Sequence, residues 1–280
     1  MSDPSAGANG PFDLSERVAV VTGGAGLLGQ RHAGAIAAFG GIPVLLDVDL
    51  ERSEHAAERV RSRFGTQALA VEADITRPES VRSACARILE RLGRVDILIN
   101  NAANNPKMEA SDTANFARLE NFSLSRWDAD LSVGLTGAFL CSQVFGAVMA
   151  RQGRGVILNV ASDLALIAPD QRLYRDAALP PERQQVKPVT YSVVKSALIG
   201  LTRYLATYWC EQGVRCNAIS PGGVLDGQPE EFVQRLSALV PLGRMARVDE
   251  YQGAIVFLCS DASSYMTGSN LVIDGGRSCW

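Results

Sequence analysis

The run RVAVVTGGAGLLGQRHAGAIAAFGG, Arg17 to Gly41, joins a strand pattern, a glycine turn and a helical pattern, and that order decides the fold. Val18 to Val21 are continuously apolar, as expected of a strand covered on both faces, and from Leu27 onward apolar residues recur at helical spacing. Between them TGGAGLLG, Thr22 to Gly29, places small residues where the strand hands over to the helix. Glycines there permit a tight turn, and the N–H groups of the first helical turn are left free to receive phosphate. Gln30 and Arg31 follow Gly29, so the Lys and Ser or Thr of a P-loop are missing.

The same alternation continues along the chain. RVAVVT, IPVLLD, ALAVEAD, VDILIN, GVILNVAS, VRCNAIS and NLVID read as strands, and helical patterns lie between them at about 27–39, 51–64, 78–92, 125–151, 189–212 and 249–260. Apolar strands separated by helices predict an α/β fold: a doubly wound, Rossmann-like parallel sheet of about seven strands with helices on both faces. Residues 11–280 read as one domain, preceded by a disordered tail at 1–10.

Composition narrows the partners. With 280 residues, 47% of them hydrophobic, the chain can bury one large core, and a net charge of -3 leaves no basic footprint for nucleic acid. No uninterrupted apolar stretch approaches the roughly 20 residues of a membrane span, and the amino terminus lacks the basic and apolar segments of a signal peptide. Six cysteines without a CxxC pair read as buried, reduced thiols of a cytoplasmic protein. The two histidines, His32 and His55, lie in helical segments, which argues for packing or solvent-facing roles and against a zinc site or a histidine-based centre.

In a doubly wound sheet the ligand sits at the carboxyl ends of the strands. IPVLLD ends in Asp47, 24 positions after Gly23, where a carboxylate can accept hydrogen bonds from an adenosine ribose. No Lys or Arg lies between 42 and 51, so nothing there holds a 2'-phosphate; NAD(H) is expected over NADP(H).

Further along, ADIT, NNAA, YSVVK at 191–195, NAISPGG at 217–223 and the terminal LVIDGG follow in order. Together they resemble the short-chain dehydrogenase/reductase superfamily over nearly the whole chain. Tyr191 is the one tyrosine with a lysine four residues on. On a helix such residues share a face, and an ammonium beside a phenol favours its phenolate, so Tyr191 can exchange a proton with an alcohol or carbonyl. The resemblance implies that Lys195 also holds the nicotinamide ribose and that Ser162 holds the substrate oxygen. It further implies cofactor contacts from Gly23, Gly26, Leu27, Leu28, Gly29, Asp47, Val48, Asp74, Ile75, Asn101, Ala102, Ala103, Tyr191, Lys195, Pro221, Gly222 and Val224. No metal is expected.

Four departures bear on the site. Tyr191 follows Ser162 by 29 positions, where about a dozen is usual in the family, so an insertion near 163–190 is expected to overhang the substrate. Asp163, Arg172 and Tyr174 are its candidate substrate contacts, and with Arg175 they suggest a polar, anionic or carbohydrate-like substrate. Gly134, in VGLTG, stands where the family usually has an asparagine that holds a water of the proton relay; a glycine inside a helix predicts a local bend or a close approach. Asp226 replaces a common threonine and is expected to turn away from pyrophosphate, with 224–240 as a mobile lid. The region between Ala103 and Trp127 is also longer than usual.

The glycine register itself, Gly23, Gly26 and Gly29, resembles the extended, nucleotide-sugar branch, whereas the ending from GRMARVDE to LVIDGG resembles the single-domain branch and outweighs it. Leu27 then stands where that branch has glycine, and its side chain is expected to face the protein interior. Segments VGLTGAFLCSQ, IAPDQRLY and YSVVK resemble dehydrogenases of bacterial surface-sugar and flagellin modification. The resemblance also implies a homodimer or homotetramer built on the helices at 125–151 and 189–212. An NAD(H)-dependent alcohol/ketone oxidoreductase is thus expected. Gly134 and Asp226 leave open an NAD-binding regulatory protein with weak turnover, and a Ser162–Lys195 hydrolase is disfavoured by the absence of G-x-S-x-G.

Overall fold

A computed structural model describes residues 10–104 and 117–280; the expectations for the first nine residues and for the middle of the 103–127 region lie outside them. Seven strands form one parallel sheet: β1 (Val18–Thr22), β2 (Ile42–Asp47), β3 (Leu69–Glu72), β4 (Ile97–Asn100), β5 (Gly155–Val160), β6 (Val214–Pro221) and β7 (Asn270–Ile273). Their spatial order is β3-β2-β1-β4-β5-β6-β7, with every pairing parallel. The order reverses between β1 and β4, which opens a crevice at the carboxyl ends of those two strands.

All seven expected strands are present. The helices are α1 (Leu27–Ala38), α2 (Leu50–Phe64), α3 (Pro78–Leu92), α4 (Leu124–Leu131), α5 (Gly137–Gln152), α6 (Val189–Tyr208), α7 (Glu230–Ser237) and α8 (Gln252–Cys259). Alternating strand residues sort to two faces, as the pleat requires. Val20, Leu46, Leu98 and Ile157 pack beneath α3, α5 and α6 with Ile88, Phe145 and Leu205, while Val21, Ile99 and Leu158 pack beneath α1 and α8 with Ile36, Ile255 and Leu258.

The structure changes several expectations. The helical run Leu124–Gln152 does have the length and hydropathy of a membrane span, but Cys141, Phe145 and Met149 along it are fully buried against the sheet, the pattern of a core helix. Four of the six cysteines are buried, whereas Cys210 and Cys279 are exposed. The segment read as a lid carries α7, which packs Leu236 against Leu173 of the insertion and Met245.

Gly134 lies in a single π-helical turn, Ser132–Thr136, between α4 and α5. A Cβ there would stand 2.6 Å from Cγ1 of Val194 on α6. The expected bend and close approach therefore occur together: the wide turn brings this backbone against the helix that carries Tyr191 and Lys195. A buried polar network fixes the same helix from below. Asn100 donates to Asn159 Oδ1 (2.8 Å) and Ser142 Oγ (3.0 Å), and Asn159 donates to Thr202 Oγ1 of α6 (2.8 Å).

Candidate active site

A cleft of about 600 Å³ runs across the carboxyl ends of the strands. At one end the turn after β1 delivers the open amino terminus of α1, whose cap residue Gly26 makes no side-chain hydrogen bond. Gly23, Gly26, Leu27 and Leu28 line the cleft there. Gly29 does not: it is buried, and a Cβ on it would come 2.1 Å from Gly23 O, so its role is to let α1 close on the turn. Leu27 is 40% exposed and lines the cleft, contrary to the expectation that it faces the interior.

Asp47 braces the turn from β2, accepting from Ala25 N–H at 3.0 Å, and lines the cleft with Val48. Asn101 locks it from β4: its carboxamide donates to Thr22 O (2.9 Å) and Gly23 O (3.3 Å), and Thr22 Oγ1 accepts from Asn101 N–H and Ala102 N–H. Asp74 accepts from Thr76 N–H and its hydroxyl, and Asp74, Ile75, Ala102, Ala103, Pro221, Gly222 and Val224 complete this wall. These residues fit a dinucleotide: an open helix amino terminus for phosphate, a strand-end carboxylate for ribose, and a long cleft beyond.

At the other end stand Ser162, Tyr191 and Lys195. The first turns of α6 carry Tyr191 and Lys195 on one face, and Ser162 follows β5, so the 29-residue separation closes in space: Tyr191 Oη donates to Ser162 Oγ at 3.4 Å. Ser162 Oγ donates to Asp163 Oδ1 at 2.9 Å and accepts from Leu164 N–H at 3.2 Å. Lys195 Nζ is buried, donates to Val160 O at 2.7 Å and lies 5.9 Å from the Tyr191 ring centre. Burial pulls the Lys195 ammonium down to about 8, helped by the neighbouring Lys187. Burial also pushes the Tyr191 phenol above its ordinary value, and the Ser162 hydrogen bond offsets part of that. The expected lowering of the phenol by Lys195 is thus not met by the protein's own groups. Removing its proton at neutral pH calls for further positive charge beside it.

The insertion does roof the cleft. Its 3-10 turn Gln171–Tyr174 meets α7, with Tyr174 tilted on Phe232 at 5.5 Å and Arg235 donating to Arg175 O. Tyr174 and Asp163 line the cleft. Arg172 does not: its exposed guanidinium is engaged by Asp170 at 2.8 Å. Asp226 is exposed and lines the cleft beside Gln228, whose side chain takes its N–H at 2.8 Å, so it has not turned away from the cleft.

Three cleft cations are missing from the sequence reading. Lys187 Nζ stands 3.8 Å over the Tyr191 ring. The spacing KxxxYxxxK, with lysines four residues on either side of Tyr191, was its available signal. Arg277, buried near the carboxyl terminus, pairs with Asp163 Oδ2 at 2.7 Å across 114 positions, and no local pattern announces that. Arg52, on the first turn of α2, lines the ribose end.

Comparison with known proteins agrees with this geometry. Residues 17–173 match the family model described as short chain dehydrogenase, and residues 181–278 match the one described as Enoyl-(Acyl carrier protein) reductase. The D-threitol dehydrogenase of Mycolicibacterium smegmatis is 34% identical over 95% of this chain and 94% of its own length. The NAD-dependent glycerol dehydrogenase of Listeria innocua is 33% identical, over 95% of each. The solved gluconate 5-dehydrogenase of Burkholderia cenocepacia, in complex with NADP and tartrate, superposes with a TM-score of 0.83 at 28% identity, covering 96% of this chain and 98% of that one. The chain therefore belongs to the short-chain dehydrogenase/reductase superfamily, as an oxidoreductase that acts on CH–OH groups with a nicotinamide cofactor.

Proposed function

We propose that the protein interconverts a secondary alcohol of a polyol or sugar derivative and the corresponding ketone, using NAD(H). The observation that carries this is the cluster of Ser162, Tyr191 and Lys195 at one end of a cleft whose other end is a glycine turn braced by Asp47. Ser162 orients the substrate oxygen by hydrogen bonding. Tyr191 takes the hydroxyl proton as the carbonyl forms and returns it in the reverse direction. Lys195, fixed by Val160 O, holds positive charge near the phenol and would hold the nicotinamide ribose. The bound nicotinamide supplies the hydride acceptor and, when oxidised, positive charge.

NAD(H) is preferred because the Asp47 carboxylate accepts a hydrogen bond from the turn and faces the ribose end, where it repels a 2'-phosphate. Arg52, also on that wall, favours NADP(H). Relatives named for threitol, glycerol and gluconate support a polyhydroxylated substrate. We also propose a homo-oligomer through the outer faces of α5 and α6, where Phe139, Tyr204 and Tyr208 are exposed.

The test is a rate screen at 340 nm over polyols, sugars, sugar acids and simple alcohols with both cofactors, on wild type and Tyr191→Phe. Wild type is expected to turn over a polyhydroxylated substrate with NAD+, and Tyr191→Phe to lose at least about 10²-fold in kcat while keeping NAD+ affinity. NAD+ binding with no turnover across the screen refutes the proposal in favour of a binding protein.

A further inference from the structure

One cation in the cleft, Lys187, has neither a hydrogen-bond acceptor nor a carboxylate partner among the described residues. Arg277 is paired with Asp163 at 2.7 Å, Lys195 donates to Val160 O at 2.7 Å, and Arg52 leans on Asp49 at 4.0 Å. Lys187 Nζ has no hydrogen-bond acceptor and no carboxylate at ion-pair distance among the described residues; its printed neighbour is the Tyr191 ring at 3.8 Å. The backbone that aims it is held, since Lys187 N–H donates to Gln171 Oε1 at 2.8 Å, and Pro188 caps α6 directly after it. Asp163, the carboxylate whose field reaches Lys187, is already engaged by Arg277. Burial pulls the Lys187 ammonium down to about 8, which leaves it charged at neutral pH.

A charge kept in a half-buried site without a counter-ion costs free energy that an incoming anion recovers. One unanswered ammonium matches the single negative charge that a substrate carboxylate carries. Tyr174, on the same wall, makes no hydrogen bond among the described residues, and burial pushes its phenol up to about 12, so it stays a donor for a second oxygen. Because Nζ stands over the Tyr191 ring, an anion held there lies beside the phenol that meets the substrate hydroxyl.

We infer that Lys187 is a specificity-determining residue that binds a substrate carboxylate, so that the protein acts on a hydroxy acid in preference to the matching neutral polyol. This rests on the proposal that the cleft oxidises an alcohol. In that step the carbinol C–H electron pair leaves as hydride to the oxidised nicotinamide, the hydroxyl proton passes to Tyr191, and the carboxylate is unchanged.

Two measurements test it together. The first is kcat/KM for four- and five-carbon polyols and their aldonic acids with wild type, Lys187→Gln and Lys187→Arg. The second is the affinity of NAD+-loaded protein for tartrate by calorimetry, with NAD+ affinity as the check on folding. Wild type is expected to favour the acids at least 10-fold, and Lys187→Gln to lower the acid-to-polyol ratio at least 10-fold, through KM, with tartrate affinity falling as much. Lys187→Arg is expected to keep most of the ratio. An unchanged ratio in Lys187→Gln, with acid and polyol rates falling together, overturns the inference and makes Lys187 a partner of Tyr191 alone. Tartrate affinity indifferent to Lys187 overturns it as well. If nothing is turned over but tartrate binding depends on Lys187, the redox proposal fails while the anion site stands; absence of both turnover and tartrate binding overturns both.

Discussion

Acid should destabilise this protein through one histidine under the glycine turn. His32, on α1, is 1% exposed, and neither ring nitrogen has a hydrogen-bond partner of acceptable geometry. Burial pulls its imidazole down from 6.5 to about 4, with the Asn101 side chain opposing weakly. The folded pKa is thus below the unfolded one, so as pH falls the unfolded chain takes up a proton that the folded chain refuses. Stability rises with pH between about 4 and 6.5, and the penalty vanishes above 6.5. Across that gap of about 2.5 pH units, at 1.36 kcal/mol each, the cost approaches about 3 kcal/mol, and about 2 kcal/mol of it appears between pH 7 and pH 5. The assay is reversible denaturation at fixed protein concentration from pH 7 to 5 for wild type and His32→Leu; carboxylate contributions cancel in the difference. The variant is expected to lose about 1.4 kcal/mol per pH unit of slope below pH 6. Equal slopes, or an NMR titration of His32 near 6.5, would refute the reasoning.

Other outcomes follow from single contacts. Gly134→Ala drives a Cβ to 2.6 Å from Val194 Cγ1, which should cost about 1–3 kcal/mol and lower kcat by shifting α6; Val194→Ala in the same chain should restore much of both, as denaturation and initial rates will show. Arg277→Met leaves Asp163 buried without its partner and should cost about 3–5 kcal/mol, and Asp163→Asn added to it should recover part, measured in a double-mutant cycle. Asn159→Leu removes the link between Asn100 and Thr202 and should cost about 2–4 kcal/mol, with a lower midpoint in urea. Asp47→Ala should narrow the NAD+ over NADP+ preference at least about 10-fold in kcat/KM, and Arg52→Ala added to it should widen the preference again.

How much was legible can be judged residue by residue. Continuous apolar strands, helical spacing and the glycine turn sufficed for the seven-stranded parallel sheet, because each is a local consequence of backbone geometry. Tyr191 and Lys195 were legible for the same reason: four residues on one helix share a face. The packing of Gly29 against Gly23 O is not legible in the sequence, because a glycine motif does not say which glycine meets backbone. The local ion pair of Arg172 with Asp170 is not legible in the sequence, since the order of residues does not say which polar neighbours engage each other. Helix α7 within the 224–240 segment is not legible because eight residues carry too short a helical period, and its partner Leu173 belongs to the insertion.

What the chain determines by itself is therefore the sheet, the turn and the Tyr191–Lys195 pair, since short-range sterics and side-chain period produce them wherever the sequence folds. Tertiary structure alone decides that Ser162 meets Tyr191 across 29 residues, that Arg277 neutralises Asp163 across 114, and that Lys187 stands over Tyr191 without a counter-ion among the described residues. Those facts concern which charges are brought together and which are left unanswered. Charge pairing acts through space and depends on burial, so it exists only once the sheet has brought distant segments into one cleft.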